Sequence, residues 1–168
     1  MANTKIKTSA IAAFIDIGDS STSPKWARVR KQGELKLKYD GETEEDKWVD
    51  ENTPSTSLEK YAVSFEGELT CYNDDELFKY LDALRQNRAT GTDAETQCLV
   101  VYKYDTTDNA KYAAELNRCT LQFSEFGGEG GGGSASLNYT CSFNGDPTLG
   151  TAAFTGATPT FTANSATE

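Results

Sequence analysis

From Tyr61 to Cys71 apolar and polar residues alternate almost without a fault, with Tyr61, Val63, Phe65, Gly67, Leu69 and Cys71 on one side. Ala62, Ser64, Glu66, Glu68 and Thr70 form the other side. A two-residue period predicts a strand with one face buried. The same alternation returns at Cys119–Glu125 and at Leu137–Phe143. Gln97 to Tyr104 is apolar and β-branched enough to predict a central strand, and the short run from Ala10 to Ile15 predicts a first one. Between Trp26 and Tyr39 a further alternating region sets Leu35, Leu37 and Tyr39 against Glu34, Lys36 and Lys38.

A single helix signal interrupts this β pattern. Asn73 is a candidate N-cap with Glu76 three positions on, Asp74 and Asp75 suit the helix dipole, and Leu77, Leu81 and Leu84 recur at helical spacing. Arg85 and Arg88 fall near the predicted end, before Gly91, so the helix is expected over about residues 74–87, flanking the sheet. Residues 40–57 read as a long acidic loop: Glu42, Glu44, Glu45, Asp46, Asp50 and Glu51 crowd around an isolated Trp48 and Val49. Such a loop is either a docking arm or a solvated loop whose Trp48 folds back onto its own sheet. Turns are expected at Asp105–Asn109 and Asn144–Gly150, and the glycine-rich stretch from Gly127 to Gly133 connects two strands. The last strand is expected at Ala152–Phe154 or Thr160–Thr162. The predicted fold is mainly β: an antiparallel β-sandwich or barrel with one flanking α-helix, formed as one domain over residues 1–162 with a loose tail at 163–168.

Composition narrows the chemistry. A chain of 168 residues with a formal net charge of −10 is poorly suited to holding a phosphate backbone, since that binding depends on Lys and Arg displacing counterions. Lys5 and Lys7 ahead of an apolar run outline a secretory signal, but Asp16, Gly18 and Asp19 cut the run short, which favours a strand. Cys71, Cys98, Cys119 and Cys141 include no CxxC pair and fit reduced core residues. The chain has no histidine, the commonest general base and metal ligand. Glu66 and Glu68, about 7 Å apart on one strand face, could in principle pair as glycosidase carboxylates. In so acidic a chain they read better as solvated surface. The acidic stretch lacks the alternate spacing of a calcium loop, and the glycine run has neither a following helix nor a phosphate-loop lysine. Catalytic, cofactor and metal sites are therefore expected to be absent.

The order of features is similar to that of one family. WARVRKQGELKLKYD, the acidic stretch, SLEKYAVSFEGELTCYNDDELFKYLDALR, QCLVVYKYD, FGGEGG and the closing NGDPTLGTAAFTGATPTFTA together resemble the major tail tube proteins of tailed bacteriophages, over about Trp26 to Phe161. The resemblance implies a structural subunit that self-assembles into hexameric rings, their inner strands closing one large barrel and the rings stacking into a hollow conduit for DNA delivery. It implies an inter-subunit role for the loop residues Trp48, Val49, Asp50 and Glu51, and a lumen lined by Glu34, Glu66 and Glu68, past which DNA moves without specific binding. It also implies tape measure, tail terminator and distal tail proteins as partners, assembly in the host cytoplasm, a place in the virion tail and no membrane contact. A monomeric capsid-decorating or Ig-like adhesive module is the alternative, and an enzyme is a distant third.

Overall fold

The computed structural model describes residues 5–18, 23–47, 49, 53–107 and 110–164. The chain runs through β1 (Ile11–Asp16), β2 (Trp26–Arg28), β3 (Lys38–Asp46), β4 (Ser55–Thr70), α1 (Glu76–Asn87), β5 (Glu95–Thr107), β6 (Lys111–Gly127), β7 (Ser136–Thr155) and β8 (Thr158–Ala163). The eight strands of the described residues join one antiparallel sheet in the order β2-β1-β5-β6-β7-β4-β3, with β8 added to β7. The sheet does not close; it folds over itself as a sandwich with α1 on one flank.

Two apolar clusters follow from the pleat. Ala13 and Ile15 of β1 join Cys98 and Val100 of β5, Cys119 and Leu121 of β6, Leu137, Tyr139 and Cys141 of β7, and Phe65 and Leu69 of β4 in the larger cluster. Leu77 and Leu81, one helical turn apart, bring α1 onto it. The alternate residues, Ala12, Phe14, Leu99, Val101, Ala114 and Ala152, form the second cluster, covered by Trp26, Tyr112, Leu116, Phe154 and Phe161. Strand β1 is thus buried on both faces, which is why its sequence runs apolar without alternating. Asp16 at its end is also buried, and its carboxylate accepts the backbone N–H groups of Gly18 (2.9 Å) and Lys25 (2.8 Å). All four cysteines are free thiols; Cys98, Cys119 and Cys141 are buried and Cys71 is half-buried. Burial pushes the Cys141 thiol well above its ordinary pKa, and hydrogen bonds with Cys119 and Cys98 add to the effect.

Several expectations need correction. Residues 40–57 are largely not a loop: Lys38 through Asp46 pair with Ser64 through Ser55, with a bulge at Glu42/Thr43, so a long hairpin replaces it. Neither face of this hairpin packs into a core, so its acidic residues never had to alternate with apolar ones, and the periodic signal was lost. The region 26–39 is broken rather than one strand: β2 ends at Arg28, Lys31 takes a left-handed φ of 61°, and residues 34–37 are coil. The helix N-cap is Asp75, whose side chain accepts Leu77 N–H at 3.0 Å, while Asn73 and Asp74 occupy the preceding turn. Burial of Leu77 and Asp75 together selects this cap over Asn73. Strand β5 continues through Asp105 to Thr107, beyond the expected turn start. Asn144–Gly150 is no turn either. Strand β7 passes through it, and Gly145, Asp146 and Pro147 bulge out opposite the single residue Asn117. Both candidates for the final strand are real, as the two arms of the β7–β8 hairpin. Of the expected tail, Ala163 belongs to β8, and residues 165–168 lie outside the described residues.

Gly67 is the tightest point of the larger cluster. It faces Tyr139 across β4 and β7, and a β-carbon there would stand 2.7 Å from the Tyr139 ring. The ring lies across the space that a side chain would fill, and its hydroxyl is 3.0 Å from Gln32 Oε1, donating to it. Gly67→Ala is expected to cost about 1–3 kcal/mol, read as a lower denaturation midpoint. Gly130→Ala, with open space around it, serves as the neutral control.

Candidate functional site

The three carboxylates proposed for a lumen come together. Glu66 and Glu68 leave the same face of β4, opposite Thr140 and Asn138 of β7. The coil after β2 crosses this face, held by the Gln32–Leu69 bridge and by Thr70 N–H on the Lys31 carbonyl (3.0 Å). That crossing brings Glu34 and Lys36 beside Glu66, Glu68 and Lys38 in one open hollow. The charges are mostly matched: Glu34 pairs with Lys36, and Lys38 Nζ lies 2.8 Å from Glu66. The hydrogen bond to Glu66 raises the Lys38 pKa above its ordinary value. Among the described residues Glu68 is the one carboxylate of the three with no ion-pair partner. The hollow is a screened, mixed-charge face with a small acidic excess.

Of the residues proposed for subunit contact, Val49 falls between β3 and β4. Val49 is fully exposed; Trp48, Asp50 and Glu51 lie outside the described residues. The β3–β4 hairpin is amphipathic. Register places Tyr39 with Val63, Gly41 with Tyr61 and Thr43 with Leu58 on one face, and Asp40 with Ala62 and Glu42 with Lys60 on the other. Tyr39, Leu58 and Tyr61 are 54%, 50% and 58% exposed, far above what residues of this size show in a core. Tyr39 and Tyr61 meet edge to face at 6.3 Å, and the row continues onto β5, where Tyr102 and Tyr104 meet at 5.8 Å. Burial, then the nearby Glu115 charge and the contact with Tyr39, push the Tyr102 phenol far above its ordinary pKa. Sequence reasoning placed Tyr61 and Val63 on a buried face. That face is buried only from Phe65 inward, because β4 leaves β7 beyond Ser64.

The gap between the hairpin and the β6–β7 layer is lined by Tyr39, Tyr61, Val63, Phe143 and Pro147. Asn117 faces it with a buried amide nitrogen that has no hydrogen-bond partner among the described residues. Along one side of this gap the Ser55–Val63 portion of β4 has no neighbouring strand among the described residues. Among the described residues no cluster of three or more acidic, cysteine or histidine side chains is arranged to hold a metal ion.

No family model matches the sequence. No curated protein is similar to it in sequence. The fold is similar to a chain in the cryo-EM structure of the anti-feeding prophage baseplate, six-fold symmetrised, with a TM-score of 0.53 at 12% identity. The likeness covers 89% of this chain and 97% of that one, so it spans the whole architecture rather than a shared hairpin.

The two tyrosines that burial shifts most, Tyr102 and Tyr139, are neutral in the folded chain well beyond the pH at which an unfolded tyrosine ionises, about 10. A folded-state pKa raised in this way contributes stability that is complete below pH 10 and is lost as the pH rises above it. In an alkaline titration followed at the tyrosinate band, part of the signal from the eight tyrosines should appear only as the far-ultraviolet circular dichroism collapses. Tyr102→Phe and Tyr139→Phe should each shrink that delayed part. One smooth titration with intact dichroism contradicts the assignment.

Proposed function

We propose that this chain is a structural, non-catalytic subunit of a phage tail tube, assembling into hexameric rings that stack around a DNA conduit. The observation that carries the reading is the β3–β4 hairpin: a two-stranded ribbon with an exposed tyrosine row on one face and a strand edge left open. Isolated two-stranded ribbons are marginal in water, and exposed apolar faces with open edges mark sites of association. The six-fold symmetrised baseplate that contains the fold's structural neighbour supports a tail role. In this reading the ribbon rests on the adjoining subunit or ring, with Trp48 as a further anchor, and tape measure, terminator and distal tail proteins complete the tail. Assembly takes place in the host cytoplasm and the product is a virion component.

Electron microscopy and sedimentation of the purified protein over a wide concentration range test the reading. Rings or hollow tubes are expected from the parent chain, and their loss in Tyr61→Asp and Trp48→Ala variants of unchanged circular dichroism. A parent that stays monomeric throughout removes the ring assignment and favours a decorating or adhesive module.

The hollow holding Glu34, Glu66 and Glu68 is assigned to the lumen. Its ion-paired face offers a passing duplex neither a strong attraction nor a row of bare cations. Glu66→Lys with Glu68→Lys, in particles that assemble normally, should slow DNA delivery. Unchanged delivery removes the luminal assignment while leaving the tube itself standing.

A further inference from the structure

The ionic side chains of the described residues divide into a matched set and an unmatched one. Lys25, Lys31, Lys36, Lys38, Lys60, Arg85 and Arg118 each reach a carboxylate within 4.0 Å. Although the chain carries a net charge of −10, Lys5, Lys7, Lys47, Lys79, Arg88 and Lys111 reach none among the described residues, and neither do Arg28, Arg30 and Lys103. These last three share one region. Arg28 and Arg30 are exposed at and just beyond the end of β2. Register places Arg28 against Phe14, and Phe14 against Leu99 of β5, four residues before Lys103. The Lys103 ammonium stands 4.6 Å over the Phe154 ring, and partial burial together with the Arg28 charge lowers its pKa. Asp74, Asp75 and Glu76 border the hollow beside Arg28 and Arg30, but Lys31 holds Asp74 and Asp75, and Lys25 holds Glu76. A like-charged group with no ion-pair partner among the described residues is a surface suited to an outside anion.

The chain itself carries that anion at the far end of its sheet. Strand β2 is one terminus of the strand order and β3 is the other. From Asp40 to Glu59 the sequence carries eight carboxylates against the single cation Lys47. Asp40, Glu42 and Glu44 fall on one face of β3, and of these Glu42 alone has an ion-pair partner among the described residues, Lys60. Both terminal strands also have a side that no strand of the described residues covers.

We infer that the acidic face of β3 in one copy docks on the basic β2 edge, Arg28 and Arg30 with Lys103 behind them, of a second copy. The contact is heterologous, joining unlike surfaces of identical chains, and so propagates head to tail until a ring closes. It rests on the self-association proposed above and names the two surfaces that meet.

Charge exchange tests it in the full chain. Arg28→Glu with Arg30→Glu makes both surfaces acidic; Asp40→Lys with Glu44→Lys makes both basic. Each double variant, with the parent's circular dichroism and melting temperature, should need about tenfold or more protein to assemble, read by sedimentation. An equimolar mixture of the two should assemble at the parent's concentration, since every contact is then again between unlike charges. Added salt should weaken parent and mixture alike. If both variants are folded and assemble as the parent does, or if the mixture stays as defective as its components, the docking assignment is wrong while self-association stands. If the Arg28/Arg30 variant instead loses only affinity for duplex DNA, the patch serves a phosphate and the assignment is equally wrong. A parent that never associates overturns the assignment together with the reading beneath it.

Discussion

A β-strand can hold only one neighbour on each side at any level, and the shape of this molecule depends on how β7 distributes those places over its 20 residues. Strand β6 takes one side along nearly the whole length, from Tyr112–Ala152 to Gly127–Ser136. On the other side β4 occupies Ser136–Ser142 and β8 occupies Gly150–Thr155. Between them the Gly145–Asp146–Pro147 bulge takes the backbone out of the ladder, helped by the positive φ of Gly145 (73°) and the missing N–H of Pro147. Pairing with β4 therefore stops at Ser64, and everything in β4 before it is carried outward with β3 as its sole partner. One three-residue excursion thus separates the part of the sheet that packs a core from the part that does not.

The inner half of β4 and the coil after β2 then make the mixed-charge hollow, because Tyr139 fills the space above Gly67 and its hydroxyl fixes Gln32. The outer half makes the amphipathic ribbon. The two regions meet at Lys38, which belongs to β3 yet pairs with Glu66 of the hollow, so the acidic strip of the ribbon runs on from the ion-paired floor. Cations near the hollow are consumed locally, whereas Arg28, Arg30 and Lys103 by the β2 edge reach no carboxylate among the described residues. The uneven distribution of ion pairs, rather than total charge, distinguishes the surfaces of this protein.

Much of this was legible in the residues. The alternation at Phe65–Cys71, Cys119–Phe123 and Leu137–Phe143 gave strands whose apolar faces are the larger core, and Leu77, Leu81 and Leu84 gave the helix. Glu66 and Glu68 share a face because their spacing is the strand period, whereas the arrival of Glu34 depends on a coil crossing fixed by backbone contacts that no pattern encodes. The hairpin was illegible for the opposite reason. With both faces in solvent, Glu42 to Glu45 obey solvation rather than a core, and only the distant pairing of Tyr39 with Val63 reveals a strand. Gly145–Pro147 has the composition of a turn, and nothing local distinguishes a chain that reverses there from one that bulges and continues. The tyrosine row has no local sequence signature because its members come from three strands, and the charges of the β2 and β3 edges lie at opposite ends of the sheet.

The ribbon has a consequence for how the molecule moves. Its ladder is supported on one side only, and its side chains contribute to neither core, so its local opening free energy belongs at the low end of the range found within a folded chain. Amide hydrogens there exchange through small fluctuations, while those of β1 and β5 wait for the whole sheet to open. The segment densest in charge is the one whose conformation is settled last, and by what it comes to rest against.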